Sequence, residues 1–167
     1  MALVLDGSAG VTFPVTAGGT SAVQASSGKV LQVVQATYAT QVDTTSTSYV
    51  TSGLNASITP SSSTSKVFII VSNVIRANNS GDCQWTVFRG TVSGTNLASF
   101  SSLGSFIYST ATAGSGTIVN TISITYLDSP ATTSATTYTL GFKSSGVSVS
   151  SQYANAGATM TLMEIAA

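Results

Sequence analysis

Alternation of apolar and polar residues, enriched in β-branched and aromatic side chains, runs through most of the chain, and no window carries the 3.6-residue apolar stripe of an amphipathic helix. The pattern predicts an all-β protein. Val30 to Tyr38 reads as the first core strand, with Val30, Val34, Ala36 and Tyr38 on one face and Gln32 as the exception. Leu54, Ala56 and Ile58 alternate with Asn55, Ser57 and Thr59, which predicts a half-buried strand closed by Pro60 and the run "SSSTS". In "KVFIIVSNVIRA", Val67, Ile69, Val71 and Ile75 lie in one phase and Phe68, Ile70 and Val74 in the other, so this strand is expected to be covered on both faces. The turn-like "NNSGD" and the alternating Cys83, Trp85 and Val87 that follow it predict a hairpin over residues 66 to 90. Beyond Gly90 the chain is rich in Ser, Thr and Gly, which predicts long loops with one short strand near Phe106 to Tyr108. Strands are expected again at Thr117 to Leu127, around Tyr138 to Phe142, and at Thr159 to Ile165. A total of about eight strands at this spacing suits a sandwich or jelly roll.

The opening is different in kind. Ala2 to Leu5 and Val11 to Val15 are short strand-like bursts around the turn Asp6-Gly7-Ser8-Ala9-Gly10, and small or uncharged residues then run from Thr16 to Gly28. Residues 1 to 28 are therefore expected to form an arm and tether, and residues 29 to 167 a β-sandwich domain. Leu3, Leu5, Val11, Phe13 and Val15 are apolar residues that such an arm cannot bury alone, and Pro14 restricts strand pairing to one edge. These six positions are the candidate docking residues of the arm. Strand addition to a partner would satisfy both the apolar side chains and the arm's backbone groups.

Charged residues make up 6% of the chain, against about 25% in ordinary soluble domains, and the formal net charge is zero. Lys29, Lys66, Arg76, Arg89 and Lys143 are scattered singly, so no nucleic-acid partner and no anionic membrane surface is expected. With 43% hydrophobic residues the chain lies outside the composition of disordered segments. The apolar run Val67 to Val71 falls far short of the ~20 residues of a membrane helix, and the N-terminus lacks the marks of a secretory signal. A low-charge β chain must hide its strand edges, and Phe68, Ile70 and Val74 are the candidate subunit-interface residues of an expected homotrimer.

Candidate chemistry is sparse. There is no His, and Cys83 is the only cysteine, so neither a zinc ligand set nor a nucleophile with an imidazole base can be assembled. The five acidic residues Asp6, Asp43, Asp82, Asp128 and Glu164 are isolated in sequence, and the aspartates sit in turn-like settings where their carboxylates are expected to bond nearby backbone amides. The adjacent pairs Ser65-Lys66 and Lys143-Ser144 lie on strands, where neighbours point to opposite faces and cannot form a dyad. Gly7, Gly10, Gly18 and Gly19 precede no helix and so make no phosphate loop. Trp85, in phase with Cys83 and Val87, is expected in the core rather than on a sugar-stacking platform. No catalytic, cofactor-binding or metal-binding residue is predicted, and no cofactor.

"LVLDGSAGVTFP" resembles the N-terminal ribbons of bacteriophage fibre and virion-surface proteins. "GKVLQVVQATY", "STSYVTSGLNASITPSSSTSKV", "YLDSPATTSATTY" and the closing "TLMEIAA" are similar to a small all-β virion-surface domain of tailed bacteriophages of aquatic bacteria. The resemblance covers almost the whole chain, and none of its phrases carries a catalytic residue. It implies a jelly-roll-like antiparallel β-sandwich, trimeric and non-enzymatic, made in the host cytoplasm and carried on the virion. It implies as partner a major capsid protein or another virion protein, with the chain acting as a capsid decoration or cement protein. The alternative within the same family is a tail-fibre tip that binds a host-surface glycan.

Overall fold

The computed structural model describes residues 4–6, 10–12, 28–78, 82–99, 101–110 and 117–167, with side chains from residue 28 onward apart from 108–110. Thirteen strands and one turn of 3-10 helix at Tyr153–Asn155 make up the described elements, and every strand pairing is antiparallel. The all-β expectation holds. Near the N-terminus, β1 (Val4–Asp6) and β2 (Gly10–Thr12) form a two-stranded ribbon with Leu5 opposite Val11. The facing backbone groups of this ribbon pair with one another. Leu3, Phe13, Pro14 and Val15 lie outside the described residues.

Two larger sheets follow. The first holds β3 (Val30–Tyr38), β4 (Val42–Thr44), β6 (Lys66–Asn78), β10 (Thr117–Asp128), β12 (Val149–Ser151) and β13 (Ala158–Ile165). The second holds β5 (Val50–Ile58), β7 (Asp82–Arg89), β8 (Thr95–Asn96), β9 (Ile107–Thr110) and β11 (Thr136–Ser144). Their inner faces meet in a single apolar core. Leu54, Trp85, Leu140 and Phe142 of the second sheet pack there against Val67, Ile69, Val71, Ile124, Met160 and Leu162 of the first. A period of two in the sequence becomes this sandwich because each inward residue is followed by an outward one.

β6 is the spine of the first sheet. Along one edge it pairs with β10 from Val67 to Asn78, and along the other with β13 over Lys66 to Ser72 and then β12 over Ile75 to Ala77. The expected hairpin over 66 to 90 is not formed. Both edges of β6 are already occupied, so β7 crosses to the second sheet and pairs with β11, β8 and β9.

Two polar residues in inward phase become ties. Gln32 on β3 lies opposite Glu164 and donates to its carboxylate at 2.7 Å. Asn73 on β6 donates to Ser151 Oγ at 2.7 Å and accepts from the backbone N–H of Gln152 at 3.1 Å, holding the exit of β12. A register shift in the β3–β13 pairing at Glu164 and Ile165 sets Val30 against Ile165. Val30 is consequently turned outward and 47% exposed, not in the core phase as the alternation alone suggested.

The expected loop region from Gly90 is a cover rather than free coil. Leu97, bonded through its N–H to Val87 O, joins the apolar core with Ala98 buried next to it, and Tyr49 Oη donates to Gly104 O at 2.7 Å while its ring meets Phe88 edge-on. Gly141 makes room for this cover, since a Cβ there would lie 2.7 Å from the Phe88 ring.

Candidate functional sites: a neutral groove and an apolar sheet face

Among the described side chains the acidic residues do not converge. Asp43 lies on β4, exposed, and accepts from Gln41 Nε2 at 3.0 Å. The Asp82 backbone is held by Ser145, whose Oγ accepts from the Asp82 N–H at 2.9 Å. Asp128 departs from the expectation of a turn carboxylate. It is 3% exposed, receives Nε and Nη2 of Arg89 as a fork, and accepts from Tyr138 Oη at 2.7 Å. Asp128 ends β10 in the first sheet, whereas Arg89 and Tyr138 belong to the second, so the cluster clasps the two sheets at one end of the sandwich. Hydrogen bonding to Asp128 raises the Arg89 pKa against the opposing effect of burial, while burial first and the Asp128 bond second raise that of Tyr138. Neither group is a proton donor or acceptor for chemistry near neutral pH.

Glu164 is likewise structural. At 1% exposure its carboxylate accepts from the backbone N–H and the hydroxyl of Ser61, both at 2.7 Å, and from Gln32. Burial alone would raise its pKa, but the donors of Gln32 and Ser61 outweigh it and pull the value down to about 2. Cys83 is buried, and its thiol is pushed up to about 11 by burial and by Asp82, which leaves it unreactive. Trp85 sits in the core, stacked on Phe142, as expected. Among the described residues no three His, Cys, Asp or Glu side chains gather as a metal site.

Two surface features stand out among the described residues. On the outer face of the second sheet, Thr51 and Asn55 of β5, Thr137 and Thr139 of β11, and Thr91 and Val92 of the covering loop line a groove of about 330 Å3. Thr139 Oγ1 donates to Gly90 O at 2.7 Å and Gly90 N donates to Thr137 O at 2.7 Å, which fixes the loop as the groove wall. The lining carries hydroxyl, amide and methyl groups and no charge. Sequence reasoning missed it, because its walls come together only through pairing of strands some 80 residues apart, as in the Ser57–Thr137 hydroxyl contact.

The second feature is the outer face of the first sheet. Register places Leu127, Phe68, Met163 and Val33 in one row across β10, β6, β13 and β3. The next row holds Thr125, Ile70, Thr161 and Gln35, and the one after it Ser123, Ser72, Thr159 and Thr37. Val33 is 57% and Leu127 46% exposed, and Phe68, Ile70 and Val74 are half-buried. Of the three candidate interface residues, Phe68 and Ile70 belong to the apolar rows. Val74 lies farther along, opposite Thr121.

Two outcomes follow for the buried carboxylates. Asp128→Asn should cost about 2–3 kcal/mol, because it leaves a partly buried guanidinium without its fork acceptor, whereas Asp43→Asn should stay within about 0.5 kcal/mol; denaturant unfolding of both checks this. Glu164, with its pKa depressed in the folded state, stabilises the fold above the unfolded carboxyl value of 4.5, and that contribution is lost as pH falls from there toward about 2. Thermal melts between pH 6 and 2 should therefore show an acid decline that is flatter in Glu164→Gln, which starts from a lower midpoint at pH 6.

No protein-family model matches the chain, and no curated protein matches it. Among solved structures it is similar to the VP2 protein of infectious bursal disease virus in derived T=1 particles, at 15% identity over 100% of this chain and 41% of the other, with a TM-score of 0.45. A point mutant of that VP2 in T=1 particles gives 15% identity and a TM-score of 0.43, and the structure of the Gx strain of the same virus gives 14% and 0.43. The chain spans about two-fifths of the length of each of those chains.

Proposed function

We propose that the protein is a non-enzymatic structural component of a virion surface: a homotrimeric capsid decoration or cement protein of a tailed bacteriophage, with a jelly-roll-like domain. It is synthesised in the host cytoplasm and docked on the major capsid protein or another virion protein through its N-terminal arm. The observation that carries this reading is the apolar row Leu127–Phe68–Met163–Val33, which lies at the end of the sandwich where the arm joins. Gly28 N donates to Ala166 O and Ala166 N to Lys29 O, so the arm enters the domain beside Val30 and Ile165. The two buried carboxylates are committed as structural acceptors, which is consistent with a surface made for attachment instead of reaction.

The arm is a ribbon of two three-residue strands, too small to be stable on its own. An exposed strand edge on a shell protein would complete it, and three arms on one trimer would multiply weak contacts into a durable attachment.

One observation favours a second reading, a tail-fibre tip that binds a host-surface glycan. The groove at Thr51, Asn55, Thr137 and Thr139 offers uncharged donors and acceptors together with threonine methyls, the chemistry that suits a neutral sugar.

Deleting residues 1–15 tests the docking role. The truncated protein should fold with an unchanged domain midpoint and lose occupancy on particles that lack the native copy; wild-type occupancy would refute the arm's role. For the second reading, a glycan array with the whole chain is decisive: binding of a neutral glycan that is lost in Asn55→Ala would move the protein to the tail, and failure to bind any neutral glycan would remove that reading.

A further inference from the structure

β10 is an edge strand along its whole length. It pairs with β6 from Thr117 to Asp128, and among the described residues no other backbone bonds to its second edge. Natural sheets blunt such edges with short strands, bulges, prolines or charged side chains. The other edges of this sandwich carry those devices: β4, β8 and β9 have two to four residues, and the pairings of β3 and β5 contain register shifts. β10 has twelve residues, an unbroken register, no proline, and no ionic residue before Asp128 at its end.

The backbone groups on that edge follow from the pairing. Asn78 N donates to Ser148 O on the β12 side of β6, so the even residues of β6 point away from β10 and the odd ones toward it. Ala77 faces Ile118, so the even residues of β10 bond to β6, and the odd ones from Val119 to Leu127 turn their N–H and C=O to the open edge. Thr121 agrees with this, since its N–H is taken by the side chain of its own neighbour, Asn120 Oδ1, at 2.9 Å. The same five odd residues carry exposed side chains on the outer face. Their order is a palindrome. On either side of Ser123 stand Thr121 and Thr125, then Val119 and Leu127, the last two 51% and 46% exposed.

We propose that β10 pairs antiparallel with β10 of a second copy of the chain about a two-fold axis at Ser123. Register then sets Ser123 against itself, Thr121 against Thr125 and Val119 against Leu127, the last two pairs twice over. Each large exposed side chain of the strand is covered by the other. The five odd residues of each copy exchange about ten backbone hydrogen bonds, as many as a typical protein interface carries. The palindrome selects a second copy as the occupant, because a two-fold contact has to be self-complementary, whereas an unrelated strand places no such demand on the sequence. The chain's own ribbon is too short for the edge, since β1 and β2 have three residues each. An axis normal to the sheet keeps both outer faces on one side, and the two first sheets become one continuous sheet. The contact does not depend on the trimer proposed above; in a trimeric protein it joins one trimer to the next.

Disulfide trapping on the whole chain reads this register, with the native Cys83 buried. Ser123→Cys should give a covalent pair under mild oxidation, because residues facing each other in such a ladder lie about 5.5 Å apart between Cα atoms, within disulfide range. Thr121→Cys alone should not, being four residues, about 13 Å, out of register with its own counterpart. Mixed with Thr125→Cys, it should. In a second measurement, the double variant Thr121→Lys/Thr125→Lys opposes like charges across the axis at positions exposed in the subunit. Light scattering at micromolar concentration should give it at most half the mass of the unaltered protein, with the near-ultraviolet dichroism of the domain retained. Equal trapping at 121 and 123 overturns the inference, as does a mass that the lysines leave unchanged. A covalent pair at 123 in a protein without three-fold mass sustains the edge contact and removes only the trimer.

Discussion

Pairing on both edges of β6 is the constraint from which the rest of the structure follows. One edge is taken along almost its whole length by β10 and the other is shared by β13 and β12, so the strand is fixed in register from Val67 to Asn78. A slip of one residue would expose Val67, Ile69, Val71, Ile75 and Ala77 and bury Phe68, Ile70 and Arg76. With the inner phase fixed, Asn73 is delivered to the only place where it can hold the backbone leaving β12. With both edges filled, the chain after Asn78 cannot fold back on β6, and β7 joins the sheet that β5 belongs to.

The few charges serve the ends of the sandwich. Asp128 draws Arg89 and Tyr138 from the second sheet to the last residue of a strand in the first, and Glu164 ties the loop after β5 to β3 and β13. Both carboxylates are nearly inaccessible, and leaving either without donors would cost more than its pairing contributes, so each carries three or more hydrogen bonds. Of the remaining cations, Lys143 lies over the Tyr49 ring at 4.7 Å and Arg76 over Tyr153. In a chain with so little charge, a buried ion functions as a directional fastener between elements distant in sequence.

Much of the fold was legible because inward and outward phases are written locally. Leu54, Ala56 and Ile58, or Cys83, Trp85 and Val87, place themselves in the core by alternation alone. What was not legible is long-range. "NNSGD" has the same turn chemistry whether the chain folds back on β6 or crosses to another sheet, and only the occupancy of β6 by β10, β12 and β13 decides. Asp128 beside Ser129-Pro130 looks like a turn residue until Arg89 arrives from 39 residues away. Gln32 and Asn73 are visible in sequence as polar breaks in an apolar phase, and such breaks are a usable signal of a buried tie even when the partner is unknown. The groove left no trace in sequence, since Thr51, Asn55, Thr137 and Thr139 are ordinary outward positions that acquire meaning only through the β5–β11 register. Part of the apolar face was visible in Phe68 and Ile70. Val33, Leu127 and Met163 belong to three other strands and join the row only by pairing.

Hydroxyls and amides, not ions, cover most of the remaining surface, and this limits how such a protein can hold a partner. Contacts among Ser, Thr and Asn exchange one set of hydrogen bonds with water for another at little net gain, and without clustered charge there is no long-range attraction to guide an encounter. Durable attachment has to come from apolar area and from backbone pairing, which depend little on ionic strength. The structure concentrates the first in the rows at one end of the β10–β6–β13–β3 face and joins the second, the ribbon of β1 and β2, to the chain at that same end. Register alone produces the coincidence on the sheet, because the step of β13 along β6 brings Met163 to Phe68 and the β3 pairing brings Val33 to Met163. On this face register gathers Leu127, Phe68, Met163 and Val33 beside the strand that leads in from the arm and leaves hydroxyl rows beyond them.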